Sequence, residues 1–139
     1  MQVKKQYQKV ETNRRKGEEL SYREDLTYQA LERIITQAGV KVEYMPVPDD
    51  HIDGAIWARA DQEARKIMMP DDGNAFPDEE TACLILGHEM GHILSGLDSP
   101  DDVVERKKNE AVCDLIGAYL TKLAEMTAGT AIERALFEE

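Results

Sequence analysis

The sequence predicts an α+β fold in which a small three-stranded sheet, antiparallel or mixed, packs on two long helices. Three observations support this class: an amphipathic helical pattern near residue 30, three short strand patterns between residues 40 and 70, and two long helical patterns from residue 77 onward. A chain of 139 residues can bury a core without disulfide bonds. We therefore expect a single domain over residues 21–139, preceded by a basic leader over residues 1–20.

The first helix is predicted over residues 22–38. Ser21 and Glu24 have the spacing of a capping box, in which the two side chains satisfy amide groups at a helix start. Apolar residues follow at helical intervals as far as Ala38. Gly39 stands where the end of a helix favours a positive φ.

Three strands are predicted next. Val40, Val42 and Tyr44 alternate with charged residues, which is typical of a half-buried strand. The segments 55–60 and 64–69 flank a short polar stretch, as the two strands of a β-hairpin do. A run of turn-forming residues over 70–74 then closes the strand region.

The second half predicts two long helices and a short amphipathic tail over 131–137. Acids at 78–80 favour the first turn of the first long helix, and Gly96 ends its apolar sequence. Ser99 and Pro100 predict the start of the next helix, with a hydroxyl N-cap and a proline at the first helical position. We expect that helix to run to about Ala124.

Charge and composition exclude several classes of function. The net charge is −11, and residues 1–16 carry six bases and only one acid. The rest of the chain, which includes the folded domain, is therefore even more acidic and is not suited to bind nucleic acid. The longest strictly apolar run is five residues, far below the roughly 20 that a membrane span needs. Two cysteines without a secretory signal predict free thiols and a cytoplasmic protein.

The pattern H-E-x-x-H occurs inside the first long helix, at His88, Glu89 and His92. Two histidines one helical turn apart can both bind one zinc ion, at about 2.0–2.1 Å from each nitrogen. Glu89 lies on the adjacent flank, where a carboxylate can act as a general base. Because the surrounding helix is apolar on nearly every side, a bound cation would compensate the burial of these polar groups. Zn²⁺ is the predicted cofactor.

A catalytic zinc site needs a third protein ligand, and Glu110 is the favoured candidate. It lies in the second long helix, which can return antiparallel to the first, and Gly117 on the same stripe permits a close approach. Asp114, one turn beyond Glu110, can accept the N–H of a ligating histidine. Asp98 is the alternative third ligand, but the turn glycine that this arrangement requires is one position late.

The sequence predicts no catalytic or metal-binding role for the remaining candidate residues. His51 follows two aspartates and is expected to be a surface histidine, whereas Cys83 and Cys113 are expected to be buried thiols. Trp57 and Tyr44 are expected to be packing residues on predicted strands.

The stretches Leu84–Leu94 and Asn109–Leu120 together resemble the ImmA/IrrE family of zinc metallopeptidases, and the order of elements upstream is also similar. The resemblance covers about residues 22–125. It implies a minimal zincin-like (gluzincin) domain with His88, His92 and Glu110 as zinc ligands and Glu89 as catalytic base. It further implies an intracellular protein or peptide substrate, with DNA-binding repressors as the best-known class, and an origin in a bacterium, a phage or a mobile element.

A second hypothesis belongs to another class of function. The stretch Gly117–Leu120 is also similar to the metallopeptidase domain of antirestriction proteins. The chain would then be a zinc-stabilised regulatory module that hydrolyses nothing. Substitution of Glu89 discriminates the two hypotheses, because an enzyme needs that carboxylate and a binding module does not. No residue is predicted to stabilise the oxyanion, and Tyr119 lies opposite the Glu110 stripe.

Overall fold

The computed structural model describes residues 21–48, 57–128 and 130. The elements in chain order are α1 (Leu26–Gln37), β1 (Lys41–Met45), β2 (Arg59–Asp61), β3 (Lys66–Pro70), α2 (Glu79–Ser95) and α3 (Val103–Thr127). The predicted α+β class is confirmed. The basic leader, His51, the first residues of the predicted hairpin and the tail over 131–137 lie outside the described residues. No helix in the described ranges combines the length and apolar character needed to cross a bilayer.

The predicted first helix is divided in two. Ser21 and Glu24 form the expected capping box, but it encloses a short 3₁₀ turn, Tyr22–Glu24. The backbone of Asp25 is extended, and its carboxylate accepts a hydrogen bond from the amide of Tyr28, which starts α1. Because Asp25 is itself an N-cap residue, the predicted single helix is a 3₁₀ turn followed by the separate helix α1. At its other end Gly39 has a φ of 87°, as predicted.

The sheet is mixed, with strand order β1-β3-β2. β1 is parallel to β3, with Val42 beside Ile67, and β2 is antiparallel to β3, with Ala60 beside Ile67. The hairpin prediction is confirmed, although β2 is shorter than the predicted segment 55–60. Since β3 is central, β2 has no strand on its outer side within the described part of the chain. β2 also contacts α2.

The core lies between the sheet, α1 and the apolar side of α2. Its largest fully buried side chains come from all three layers: Tyr28, Leu31, Ile35, Ile67, Met69, Leu86 and Met90. Cys83 is buried with them. The strands and α1 therefore form a platform that fixes α2.

Helix α3 begins later than predicted. Its N-cap is Asp102, whose carboxylate accepts from the amide of Glu105, and the helix runs to Thr127. The prediction of Ser99 as N-cap is wrong. The Ser99 hydroxyl instead donates to the carboxylate of Glu110 and does not cap the helix.

Three glycines bring α2 and α3 into backbone contact, as predicted for Gly117. A Cβ added at Gly117 would lie 2.6 Å from the amide nitrogen of His88, and one at Gly87 would lie 2.8 Å from the Cα of Gly117. A Cβ at Gly91 would lie 2.8 Å from the Cα of Cys113. Only glycine allows this approach, which places the polar residues of the two helices within reach of each other.

Candidate metal centre

Helix α2 carries two histidines on one face. Asp78 caps its first turn and Gly96, with a φ of 73°, ends it, so the H-E-x-x-H pattern lies within regular helix. The rings of His88 and His92 are 4.9 Å apart, at an interplanar angle of 80°. Both side chains are largely shielded from solvent. The spacing of one helical turn therefore pairs the imidazoles as predicted.

Glu110 reaches the same point from α3. Its Oε1 lies 2.8 Å from Nε2 of His88, and its Oε2 lies 3.3 Å from Nε2 of His92. One ligand atom from each of the three residues lies within 4.8 Å of the other two. This group of side chains, called the metal cluster below, could hold a metal ion.

Hydrogen bonds orient each imidazole. Nδ1 of His88 lies 2.6 Å from Oδ1 of Asp114, and Nδ1 of His92 lies 2.7 Å from the carbonyl oxygen of Leu97. A carboxylate and a carbonyl are acceptors, so both contacts suit an Nδ1–H donor. The Nε2 atoms of both rings face Glu110, so these are the atoms that would bind a cation between the two helices. Two imidazole nitrogens and one carboxylate oxygen form a donor set that zinc favours.

Glu110 is held as a carboxylate by its neighbours. Partial burial raises the pKa of Glu110, but the hydrogen bond from Ser99 and the two imidazoles outweigh that effect, so the pKa lies below its usual range. The Ser99 hydroxyl donates to Oε2 over 2.5 Å. An ionised carboxylate is the form that coordinates a cation.

Glu89 lies beside the metal cluster and not in it. It lines a cavity of about 410 Å³ together with His88, His92 and Glu110. Burial raises the pKa of Glu89, and this effect exceeds the opposing influence of the two imidazoles. A carboxylate with a raised pKa is suited to accept a proton and to release it again.

The other predicted candidates take no part in the metal cluster. Asp98 lines the cavity but does not belong to the group of converging ligand atoms. Cys113 is fully buried, with its sulfur 3.9 Å from the hydroxyl of Ser95. Tyr119 is 77% exposed, and it is not among the residues that line the cavity.

Sequence analysis missed three contributors to the site. They are the Ser99 hydroxyl, the Leu97 carbonyl, and Gln62, whose side chain donates to the carbonyls of His92 and Leu97. Gln62 lies in the polar stretch between the two hairpin strands, which the sequence marks only as a turn. Ser99 has a sequence signal, but a serine before Pro100 equally predicts a helix N-cap, and only the tertiary structure shows its contact with Glu110.

Comparisons of the chain with protein-family models, with curated proteins and with solved structures give no match. Function is therefore inferred from the chemistry of the site, together with the resemblance of Leu84–Leu94 and Asn109–Leu120 given above.

Proposed function

We propose that this chain is a zinc-dependent peptidase with a minimal zincin-like domain of the ImmA/IrrE type. His88, His92 and Glu110 hold the zinc ion, and Glu89 is the general base. The observation that carries the proposal is the convergence of the three ligand atoms within 4.8 Å, with Glu89 on the wall of the same cavity.

The donor set favours zinc over the harder cations. Calcium and magnesium prefer sites made of oxygen atoms, whereas imidazole nitrogen suits zinc and its neighbours in the first transition row. Three protein ligands leave a fourth position open, which distinguishes catalytic from structural zinc sites. Zinc, when bound, supplies a positive charge that polarises a peptide carbonyl and activates water.

The residues of the chain account for the movement of protons. Glu89 takes a proton from water in the cavity as the water oxygen bonds to the carbonyl carbon of the peptide. Glu89 then gives this proton to the nitrogen as the C–N bond breaks, which releases an amine and a carboxylic acid. Asp114 and the Leu97 carbonyl orient the imidazole rings so that both Nε2 atoms face Glu110.

The proposed substrate is an extended segment of an intracellular protein. Arg59 and Ala60 of β2 line the cavity, so a peptide that pairs with the outer side of this strand passes next to the metal cluster. The net charge of −11 favours a basic partner, and a DNA-binding repressor meets that condition. Association should then weaken as the salt concentration rises, and an affinity indifferent to salt would contradict this choice of partner.

Metal analysis and peptide hydrolysis test the proposal together. We expect wild-type protein to retain one zinc ion per chain, and Glu110→Ala to bind zinc at least tenfold more weakly. Glu125→Ala, a substitution of an exposed acid on the same helix, is the matched control and should bind zinc normally. Glu89→Gln should keep zinc and lose cleavage of a fluorescent casein substrate. Wild-type protein without zinc affinity would refute the proposal.

One observation favours a second candidate, the zinc-stabilised binding module. Apolar side chains at Leu115, Tyr119 and Met126 are 66–77% exposed on the face of α3 directed away from the metal cluster. Exposed apolar residues in a row are typical of surfaces that bind other proteins. Full biological effect of the Glu89→Gln variant would support this module and exclude the peptidase.

A further inference from the structure

We propose that Gln62 is a positioning residue for His92: its side chain fixes the carbonyl group that orients the imidazole. The inference deepens the proposed function, because it concerns how the metal cluster is held in shape. Gln62 directly follows β2, and no sequence motif includes it.

The amide group of Gln62 contacts two backbone carbonyls. Its Nε2 lies 2.8 Å from the carbonyl oxygen of His92 and 2.7 Å from that of Leu97. Both partners can only accept hydrogen bonds, and only the NH₂ end of the amide has two donors. The orientation of this side chain is therefore determined by its contacts.

The Leu97 carbonyl is the link between Gln62 and the metal cluster. This oxygen accepts from Nε2 of Gln62 and also from Nδ1 of His92, at 2.7 Å in each case. Leu97 lies in the loop between α2 and α3, just after the left-handed Gly96, where no helix or strand orients its carbonyl. The Gln62 amide therefore holds this oxygen in the position from which it contacts Nδ1 of His92 and orients the ring.

The second contact of Gln62 holds the backbone of His92 itself. The His92 carbonyl also accepts from the amide of Gly96, in the last turn of α2. Gln62 thus contacts both the main chain of His92 and the group that orients its ring. His88 is oriented differently, by Asp114 from α3. The sheet and α3 therefore each orient one of the two histidines.

Gln62 is separate from the hydrophobic core. It is half-buried, lines the cavity, and does not belong to the core cluster of the described residues. Its substitution removes hydrogen bonds next to a metal ligand without opening the core. Loss of the hydrogen-bond partner of a ligating histidine typically weakens metal binding about 10–100-fold, and Gln62 holds that partner, the Leu97 carbonyl.

Two substitutions separate hydrogen bonding from shape. Gln62→Met keeps the length of the side chain and removes both donors, whereas Gln62→Ala removes the side chain as well. Glu63→Ala, at the exposed neighbouring position, is the matched control. We expect zinc affinity, measured by competition with a chelating dye, to fall at least tenfold in both Gln62 variants and to stay unchanged in Glu63→Ala. The visible spectrum of the Co²⁺-substituted protein should change in the Gln62 variants alone.

A measurement without metal gives an independent test. In crystal structures of the metal-free protein, the Leu97 carbonyl oxygen should lie within hydrogen-bond distance of Nδ1 of His92 in wild type, and Gln62→Met should displace that oxygen and turn the His92 ring. An unchanged Leu97 carbonyl and His92 ring in Gln62→Met would overturn the inference, and so would wild-type zinc affinity in both Gln62 variants. If wild-type protein binds no zinc, the proposed function fails, and the metal-free structures still decide the role of Gln62.

Discussion

Replacement of Gly117 by alanine tests how α2 and α3 approach each other. The added Cβ would lie 2.6 Å from the amide nitrogen of His88 and 2.8 Å from the carbonyl carbon of Gly87. Atoms of this kind are normally in contact at roughly 3.5 Å, so the helices need to separate by about 1 Å. Both neighbours are backbone atoms, which cannot rotate away as a side chain can.

The expected magnitude follows from two opposing effects. Forcing an extra methyl group into a packed interface costs about 1–3 kcal/mol. Alanine in place of glycine inside a helix stabilises by about 0.5–1 kcal/mol. We expect Gly117→Ala to lose about 1–2 kcal/mol of unfolding free energy, which lowers Tm by roughly 3–8 °C in a domain of this size.

Urea denaturation of the metal-free protein measures this loss. Ala118→Gly, at the exposed next position, isolates the intrinsic helix preference and should destabilise by about 1 kcal/mol. Zinc affinity should also fall in Gly117→Ala, because the separation moves Glu110 away from the histidines of α2. A Gly117→Ala variant as stable as wild type, with the same zinc affinity, would refute the reasoning about the helix contact.

Three further predictions concern other parts of the molecule. Because burial raises the pKa of Glu89, its ionisation opposes folding as the pH rises through that pKa. Metal-free Glu89→Gln should therefore have a higher Tm than wild type at pH 7, by a margin that shrinks towards pH 4, and an equal Tm at pH 7 would contradict this. Burial raises the pKa of the Cys83 thiol to about 12, so iodoacetamide at pH 8 should modify it at least 100-fold more slowly in the folded than in the urea-unfolded protein, as mass spectrometry can show. Comparable rates would exclude a buried thiol. Gly96→Ala should lower the free energy of unfolding by about 1–2 kcal/mol in urea denaturation, because φ is 73° at this residue. No atom lies within 4 Å of the new methyl group, so the loss comes from the backbone conformation and not from a clash. Gly96→Asn should lose less, because asparagine adopts a positive φ more readily than alanine.

The features that sequence predicts well are those set by neighbouring residues. Gly39 and Gly96 mark helix ends because glycine adopts a positive φ without strain. His88 and His92 share a face because the helical period is fixed. Glu110 on the stripe of Gly117 is a prediction of the same kind, once the second helix is taken to run antiparallel to the first.

The features that sequence predicts poorly depend on distant partners. Ser99 and Asp102 are both good N-cap residues, and the contact of Ser99 with Glu110 decides between them. Gln62 bonds to carbonyls 30 and 35 residues away, which no local pattern records. The parallel pairing of β1 with β3 likewise cannot be predicted from the alternation of apolar residues. Alternation shows which side chains share one face of a strand, but it does not show which strand lies beside it.

The shortness of β2 limits how the proposed peptidase could select its substrate. A strand of three residues offers an incoming peptide only about two or three outward backbone groups, too few for tight capture. Under the proposed function, cleavage would depend on effective concentration, so a polypeptide that also binds elsewhere on the protein would be cleaved far faster than the same sequence free in solution. The contact outside the cleft would then determine which polypeptide is cleaved, and the cleft itself would accept many sequences.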